Sequence, residues 1–241
     1  MTITNRSNIR AWGEYPRHEI EAFGDDGDFG RQHLLNPHVS RLLGDVADKR
    51  VLDAGCGTGY LCRKLARMGA VVTGLEPSDA FFDYCLEREA REARGITYIK
   101  DDLSTWMAST PFDVVVSNQV LMDIVDVEEA IRSCSAALAP NGQFLVTLQH
   151  PCFENPASEY GEHGHIRVAE YLNEYVIPQT YGVKIHRPLS KYLNLITSHG
   201  CSLREVVEPQ LTDPYLNLKD AHIPSYLILD FVKSIPGARA L

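Results

Sequence analysis

The chain has 241 residues, 44% of them hydrophobic, and a formal net charge of −9, which suits one α/β domain with embellishments. The acidic balance argues against a large nucleic-acid footprint, which needs clustered Lys and Arg, and no run reaches membrane-spanning length or forms an apolar signal core at the N-terminus. Cys56, Cys62, Cys85, Cys134, Cys152 and Cys201 include no CxxC pair and read as the reduced thiols of a cytoplasmic protein.

Residues 8–24 pattern as an amphipathic helix broken at Pro16, presenting Trp12, Tyr15 and His18 as candidate pocket residues. Asp25, Asp26 and Asp28, interleaved with Gly27 and Gly30, are expected to form a flexible acidic turn; their spacing does not fit a calcium loop. Arg31 opens the next helix. Val51 and Leu52 then run into Asp53 as a buried strand, and Gly55, Gly57 and Gly59 allow a tight turn around Cys56 in which bare backbone approaches a ligand. A helix over 60–68, with Leu61, Leu65 and Met68 on one face, puts its N-terminus at that turn. The dinucleotide fingerprint GxGxxG would need a glycine where Tyr60 stands. A second strand over 70–75 ends in Glu76, followed by Pro77. An acid about 20 positions past such a turn has two oxygens to accept from both hydroxyls of a ribose, although alone it is more often a helix cap.

A helix over 78–94 leads to an alternating strand that starts at Ile96 and ends in Asp101 and Asp102, of which Asp101 reads as a surface or cap residue. The next strand, from Phe112, is continuously apolar, as a central parallel strand should be, and delivers Ser117, Asn118 and Gln119 to the crevice at its carboxyl end. Met122 reads as core among Leu121, Ile124 and Val125. A helix over 126–138, a turn at Pro140, Asn141 and Gly142, and a fifth strand to Gln149 complete a βαβ rhythm, that of a doubly wound parallel sheet. His150 follows directly and is expected to point into the same crevice as Asn118. His186, ahead of a helix beginning near Pro188 or Ser190, is the second candidate base, although a lone histidine is more often structural. His163 and His165 lack a third ligand nearby, and Asp123 and Asp126 make a poor set, so no metal is expected. The insert over 151–200 also carries Tyr160, Tyr171, Tyr175 and Tyr181, suited to an aromatic or bulky apolar molecule. Strands over 202–208 and 224–232 should pair as an antiparallel hairpin at the sheet edge, joined by a long connection.

The order Asp53, Gly55, Gly57, Gly59, then Glu76, Asp102, the 117–119 segment and the Pro140 turn, resembles the class I S-adenosylmethionine (SAM)-dependent methyltransferases, in particular bacterial small-molecule methyltransferases. Its specific motifs cover about residues 50–150. The resemblance implies a Rossmann-like α/β fold, a seven-stranded sheet that is mostly parallel with an antiparallel last strand. It implies a single domain over 1–241: a helical N-terminal lid (1–49), a SAM-binding core (50–150), a substrate cap between strands 5 and 6 (151–200), and a C-terminal β-hairpin (201–241).

It further implies SAM as cofactor and S-adenosylhomocysteine as product. Arg31 would reach the cofactor carboxylate, Glu76 the ribose, Asp102 and the Leu103 backbone the adenine, and Asn118 and Gln119 the methionine amino group, with Asp53, Gly55, Cys56, Gly57, Gly59, Pro77 and Asp123 around them. The implied reaction is methyl transfer to an O, N, C or S atom of a small molecule held by Trp12, Tyr15, His18 and Tyr160, with His150 or His186 as base where a proton must leave. The amino-methylating DNA and RNA subfamilies carry an Asn/Asp-Pro-Pro-aromatic loop where this chain has Ser117, Asn118, Gln119 and Val120. A protein or RNA methyltransferase and a non-catalytic SAM-binding module are the alternatives. A small-molecule partner, no nucleic acid, no membrane and a possible homodimer are expected.

Overall fold

The computed structural model describes residues 3–154, 156, 159–160, 165–215 and 218–235. Helical segments come first: α1 (Asn5–Trp12), α2 (Arg17–Ala22), a π-helical stretch (Arg31–Leu35) and α3 (Asn36–Leu43). A capping box starts α1, the Thr4 hydroxyl accepting from the Ser7 N–H while the Ser7 hydroxyl accepts from the Thr4 N–H. The alternating unit follows as β1 (Arg50–Ala54), α4 (Tyr60–Arg67), β2 (Val71–Leu75), α5 (Asp79–Arg91), β3 (Thr97–Ile99), β4 (Phe112–Asn118), α6 (Val127–Ala137) and β5 (Leu138–Gln149). Two small antiparallel hairpins, β6 (Glu159–Tyr160) with β7 (Ile166–Arg167) and β8 (Tyr175–Pro178) with β9 (Val183–His186), precede α7 (Leu189–Ser198). The chain closes with β10 (Cys201–Val207) and β11 (Tyr226–Lys233).

Seven strands form one sheet in the order β10-β11-β5-β4-β1-β2-β3. The pairs β1–β2, β1–β4, β2–β3 and β4–β5 are parallel. Strand β11 runs antiparallel to both β5 and β10, so the expected fold class holds, with the last strand slotted between the fifth and the edge. Both faces are covered. On β4, Val115 packs with α6 and α7 through Ile131, Cys134, Tyr192 and Ile196, while Val114 and Val116 pack with α3 and α4 through Val39, Leu43, Leu61 and Leu65. A strand buried on both faces has no polar alternation to show, hence its continuously apolar run. Because β1 has β2 on one side and β4 on the other, the connections diverge there and open a crevice at the carboxyl ends of the strands.

Several local expectations need correction. Met68 is 40% exposed and does not share the buried face of Leu61 and Leu65. Residues 140–142 fall within the bounds of β5, where Asn141 takes φ of 62° and regular pairing resumes at Gln143. The acidic turn is fastened: the buried Arg63 donates to Asp25 and to the carbonyls of Gly24 and Thr58, and Arg88 also donates to Asp25. An arginine withdrawn from water needs such partners, and it holds the turn in return. His163 lies outside the described residues.

Candidate functional site

The turn after β1 uses the left-handed region three times, with φ of 83° at Gly55, 53° at Gly57 and 68° at Gly59. A Cβ on Gly55 would stand 2.6 Å from Val120, and one on Gly59 would stand 2.7 Å from the Tyr98 hydroxyl, so these two glycines permit close packing. A Cβ on Gly57 would meet nothing within 4 Å, because this residue borders open space. Glu76 closes the turn from the end of β2: its Oε2 accepts from the Gly57 N–H at 2.8 Å and its Oε1 from the Ser78 N–H at 2.9 Å. Burial pushes the Glu76 carboxyl up to about 7, against the pull of those two amides. Asp53 is raised to about 7 for the same reason. Its Oδ2 accepts from the Cys62 thiol, whereas its Oδ1 is buried with no hydrogen-bond partner among the described residues.

A cavity of about 160 Å³ lies over this turn. Of the predicted cofactor residues, Arg31, Asp53, Gly55, Cys56, Gly57, Glu76, Pro77, Asp102, Leu103, Asn118, Gln119 and Asp123 line it, and Gly59 does not. Asn118 is held rigidly, its amide donating to the Tyr60 hydroxyl at 2.7 Å and its carbonyl accepting from Thr147 at 2.7 Å. Tyr60 donates onward to Asn36. Gln119, at φ of 63°, donates to the same Thr147 hydroxyl. Asp101 is exposed, in keeping with a surface residue.

Helix α1 roofs the cavity with Asn5, Asn8, Ile9 and Trp12. The Asn5 amide donates to the Ser104 hydroxyl, which donates to Asp102, and the Asn5 carbonyl accepts from the Val125 and Asp126 N–H groups. Asn8 donates to the carbonyls of Asp123 and Val183 and accepts from the Val183 N–H. Sequence reasoning missed both asparagines. The available signal was a pair of buried-face polar residues three apart in a helix, and their partners are more than 95 residues away in sequence.

A second cavity, about 300 Å³, opens alongside, lined by Trp12, Tyr15, Phe23, Asp28, Arg31, Gln119, Met122, Asp123, Gln149, Lys184, Tyr226 and the Gln179–Thr180–Tyr181 turn between β8 and β9. Trp12 stacks on Tyr15 at 5.7 Å between centroids, and Tyr15 meets Tyr181 at 4.3 Å. The insert is pinned there: the Ile185 N–H donates to the Met122 carbonyl, and Arg187 donates to the carbonyls of Leu121, Ile124 and Val125. Met122, read as core, is buried and also touches this cavity.

The remaining candidates lie elsewhere. His150 lines neither cavity, contrary to the expected crevice position: its Nε2 is 3.0 Å from Glu208 and its Nδ1 accepts from the Cys152 N–H. The cause is the β5–β11 pairing, which holds the His150 backbone against Ser225. His186 is likewise occupied, its Nε2 2.9 Å from the Tyr171 carbonyl and its ring stacked on Tyr175. His18 is exposed, Tyr160 is 47% exposed on its hairpin, and neither lines a cavity. Among the described residues no group of acids, histidines and cysteines is placed to hold a metal.

Comparison with known proteins agrees with this geometry. A family model described as a methyltransferase domain matches residues 30–185. Ubiquinone biosynthesis O-methyltransferases of Saccharophagus degradans and Proteus mirabilis are 32% and 31% identical over 50% and 55% of this chain. Those alignments cover 53% and 60% of the two proteins, so the chain spans about half the length of the curated relatives it matches. The crystal structure of an S-adenosylmethionine-dependent methyltransferase from Mesorhizobium loti superposes with a TM-score of 0.74 at 28% identity, covering 87% of this chain and 100% of that one. The chain therefore belongs to the methyltransferase domain family, in the class I, S-adenosylmethionine-dependent group.

Proposed function

We propose that this protein transfers a methyl group from SAM to a hydroxyl of a small, largely aromatic acceptor. The observation that carries this reading is the joining of the two cavities: Trp12, Phe23, Arg31, Gln119 and Asp123 border both, so a donor over the glycine turn and an acceptor among Tyr15, Tyr181 and Tyr226 would meet at that boundary. The choice of oxygen follows the printed names of the O-methyltransferase relatives. Three features fit a nucleoside cofactor: the open space at Gly57, the orphaned Asp53 oxygen, and the Glu76 carboxylate beside the turn. Glu76 would take the ribose hydroxyls, Asp102 and Leu103 the adenine edge, and Arg31 with the 118–119 backbone the amino-acid end.

When bound, SAM supplies a methyl group already activated on a sulfonium. What the protein adds is alignment and exclusion of water, which in favourable cases lowers a barrier by roughly 7–11 kcal/mol. Helix α1 shields the donor side, and the β8–β9 hairpin walls the acceptor side. In this reading residues 1–49 act as a lid and 151–200 as a substrate cap within a single domain. The acceptor is not a nucleic acid, the setting is cytoplasmic, and a homodimer is compatible with the site. The net charge of −9 disfavours a phosphate-binding footprint, and no helix among the described residues is long and apolar enough to cross a membrane.

Thermal unfolding with SAM, S-adenosylhomocysteine and NAD tests the reading. Ligand at about 100 times its dissociation constant adds roughly 2.7 kcal/mol of stability. A shift with the first two alone is expected; a shift with NAD alone would move the chain to the oxidoreductases.

A further inference from the structure

With His150 and His186 turned away, the proton that a hydroxyl acceptor must shed needs another destination, and the boundary between the cavities offers few. Of the five side chains bordering both, Trp12, Phe23 and Gln119 are not bases and the Arg31 guanidinium is a donor with no acceptor site. The other charged groups of the acceptor cavity are engaged, Asp28 in an ion pair with Arg31 and Lys184 in donating to Gln149. Tyr15 holds its proton more tightly than an ordinary tyrosine, chiefly through burial. That leaves Asp123.

We propose that Asp123 is the catalytic base, taking the proton of the acceptor hydroxyl at the boundary between the two cavities; this rests on the methyl-transfer reading above. The backbone of Asp123 is fixed at both ends, its N–H donating to the Val120 carbonyl and its carbonyl accepting from Asn8 at 2.6 Å. Its carboxylate, in contrast, accepts no hydrogen bond among the described residues. Burial raises its carboxyl to about 7, outweighing the charges of Lys184 on β9, Arg31 of the π-helical stretch and Arg187 just beyond β9, which favour the ionised form. Tyr15 and Tyr192 are the neutral titratable groups that sense its charge. A base with such a value is half ionised at neutral pH and strong enough to accept a proton as the acceptor's nucleophilicity develops. In the step, the oxygen lone pair forms the new bond to the methyl carbon and the C–S bonding pair remains on sulfur as a neutral thioether. The O–H proton passes to an Asp123 oxygen and later leaves to solvent.

Two readouts on the full chain test this. Calorimetry near pH 6.5, in buffers of different ionisation enthalpy, counts protons exchanged on binding. SAM, which carries a positive sulfonium, should draw Asp123 into its charged form and release a proton fraction, and neutral S-adenosylhomocysteine should release less. Asp123→Asn should abolish the difference between the two ligands, and Asp123→Glu should retain it. With catechol as probe acceptor, Asp123→Asn should lower kcat by about 100-fold or more and lose the acid limb of the pH profile, with Asp123→Glu in between. An Asp123→Asn protein that keeps the parent's difference in proton release, or methylates catechol at the parent's kcat, overturns the assignment. Failure of the parent itself to bind SAM would overturn the methyl-transfer reading instead.

Discussion

Replacing Glu76 by Ala probes the turn and the cofactor together. In the protein its two oxygens accept from Gly57 and Ser78 at 2.8 and 2.9 Å, and the residue lines the cavity where a ribose would lie. Loss of two buried hydrogen bonds to ligand costs about 1–3 kcal/mol each, so SAM should bind at least about 30-fold more weakly at 1.4 kcal/mol per decade. The pH dependence supplies a second signature. The folded-state value of about 7 lies above the ordinary 4.5, so the protonated form is favoured by folding. The associated stability is present below the ordinary value and is lost as pH rises through about 7. Ribose hydroxyls donate, so ligand binds the ionised form, and this group alone should weaken SAM affinity about tenfold per unit below pH 7. Glu76→Ala should remove one proton's worth of that slope and flatten the fall in stability between pH 5 and 8. Calorimetric titration and thermal unfolding across that pH range measure both. A variant that binds SAM within threefold of the parent, with the parent's slope, would refute the placement of the ribose.

Gly57→Ala puts a methyl group into open space at φ of 53°, a strain of about 1–2 kcal/mol, and narrows the cofactor cavity. Binding of SAM should weaken at least tenfold while the unfolding midpoint drops by only a few degrees; unaltered affinity in calorimetry would mean that no ligand presses on this turn. His150→Ala removes a buried ring with two hydrogen-bond partners and should cost about 2 kcal/mol of stability. SAM affinity and methyl transfer to catechol should stay within threefold, and a hundredfold fall in kcat at equal stability would return this histidine to the chemistry.

The sequence by itself determined the parts that local geometry governs. Asp53, the alternate glycines, Glu76 at the next strand end and the apolar β4 run are each set by backbone conformation or periodicity within a few residues, and the fold follows from their order. The direction of a side chain at a strand end is different, because it depends on what the next strand brings. Ser225, just ahead of β11, holds the backbone of His150 while Glu208, just past β10, meets its ring, and Tyr171 and Tyr175 enclose His186; these partners lie 11 to 75 positions away, so spacing within the sequence carries no trace of them. Asn5 and Asn8 look like ordinary polar positions of a helix until α1 folds over the crevice, where they bond the Ser104 hydroxyl beyond β3 and backbone groups beyond β4 and β8. Tertiary structure alone gathered Arg31, Gln119 and Asp123 around one boundary. Buried polar groups must find partners wherever the chain supplies them, and that requirement, unlike a turn or a period, is met across the whole fold.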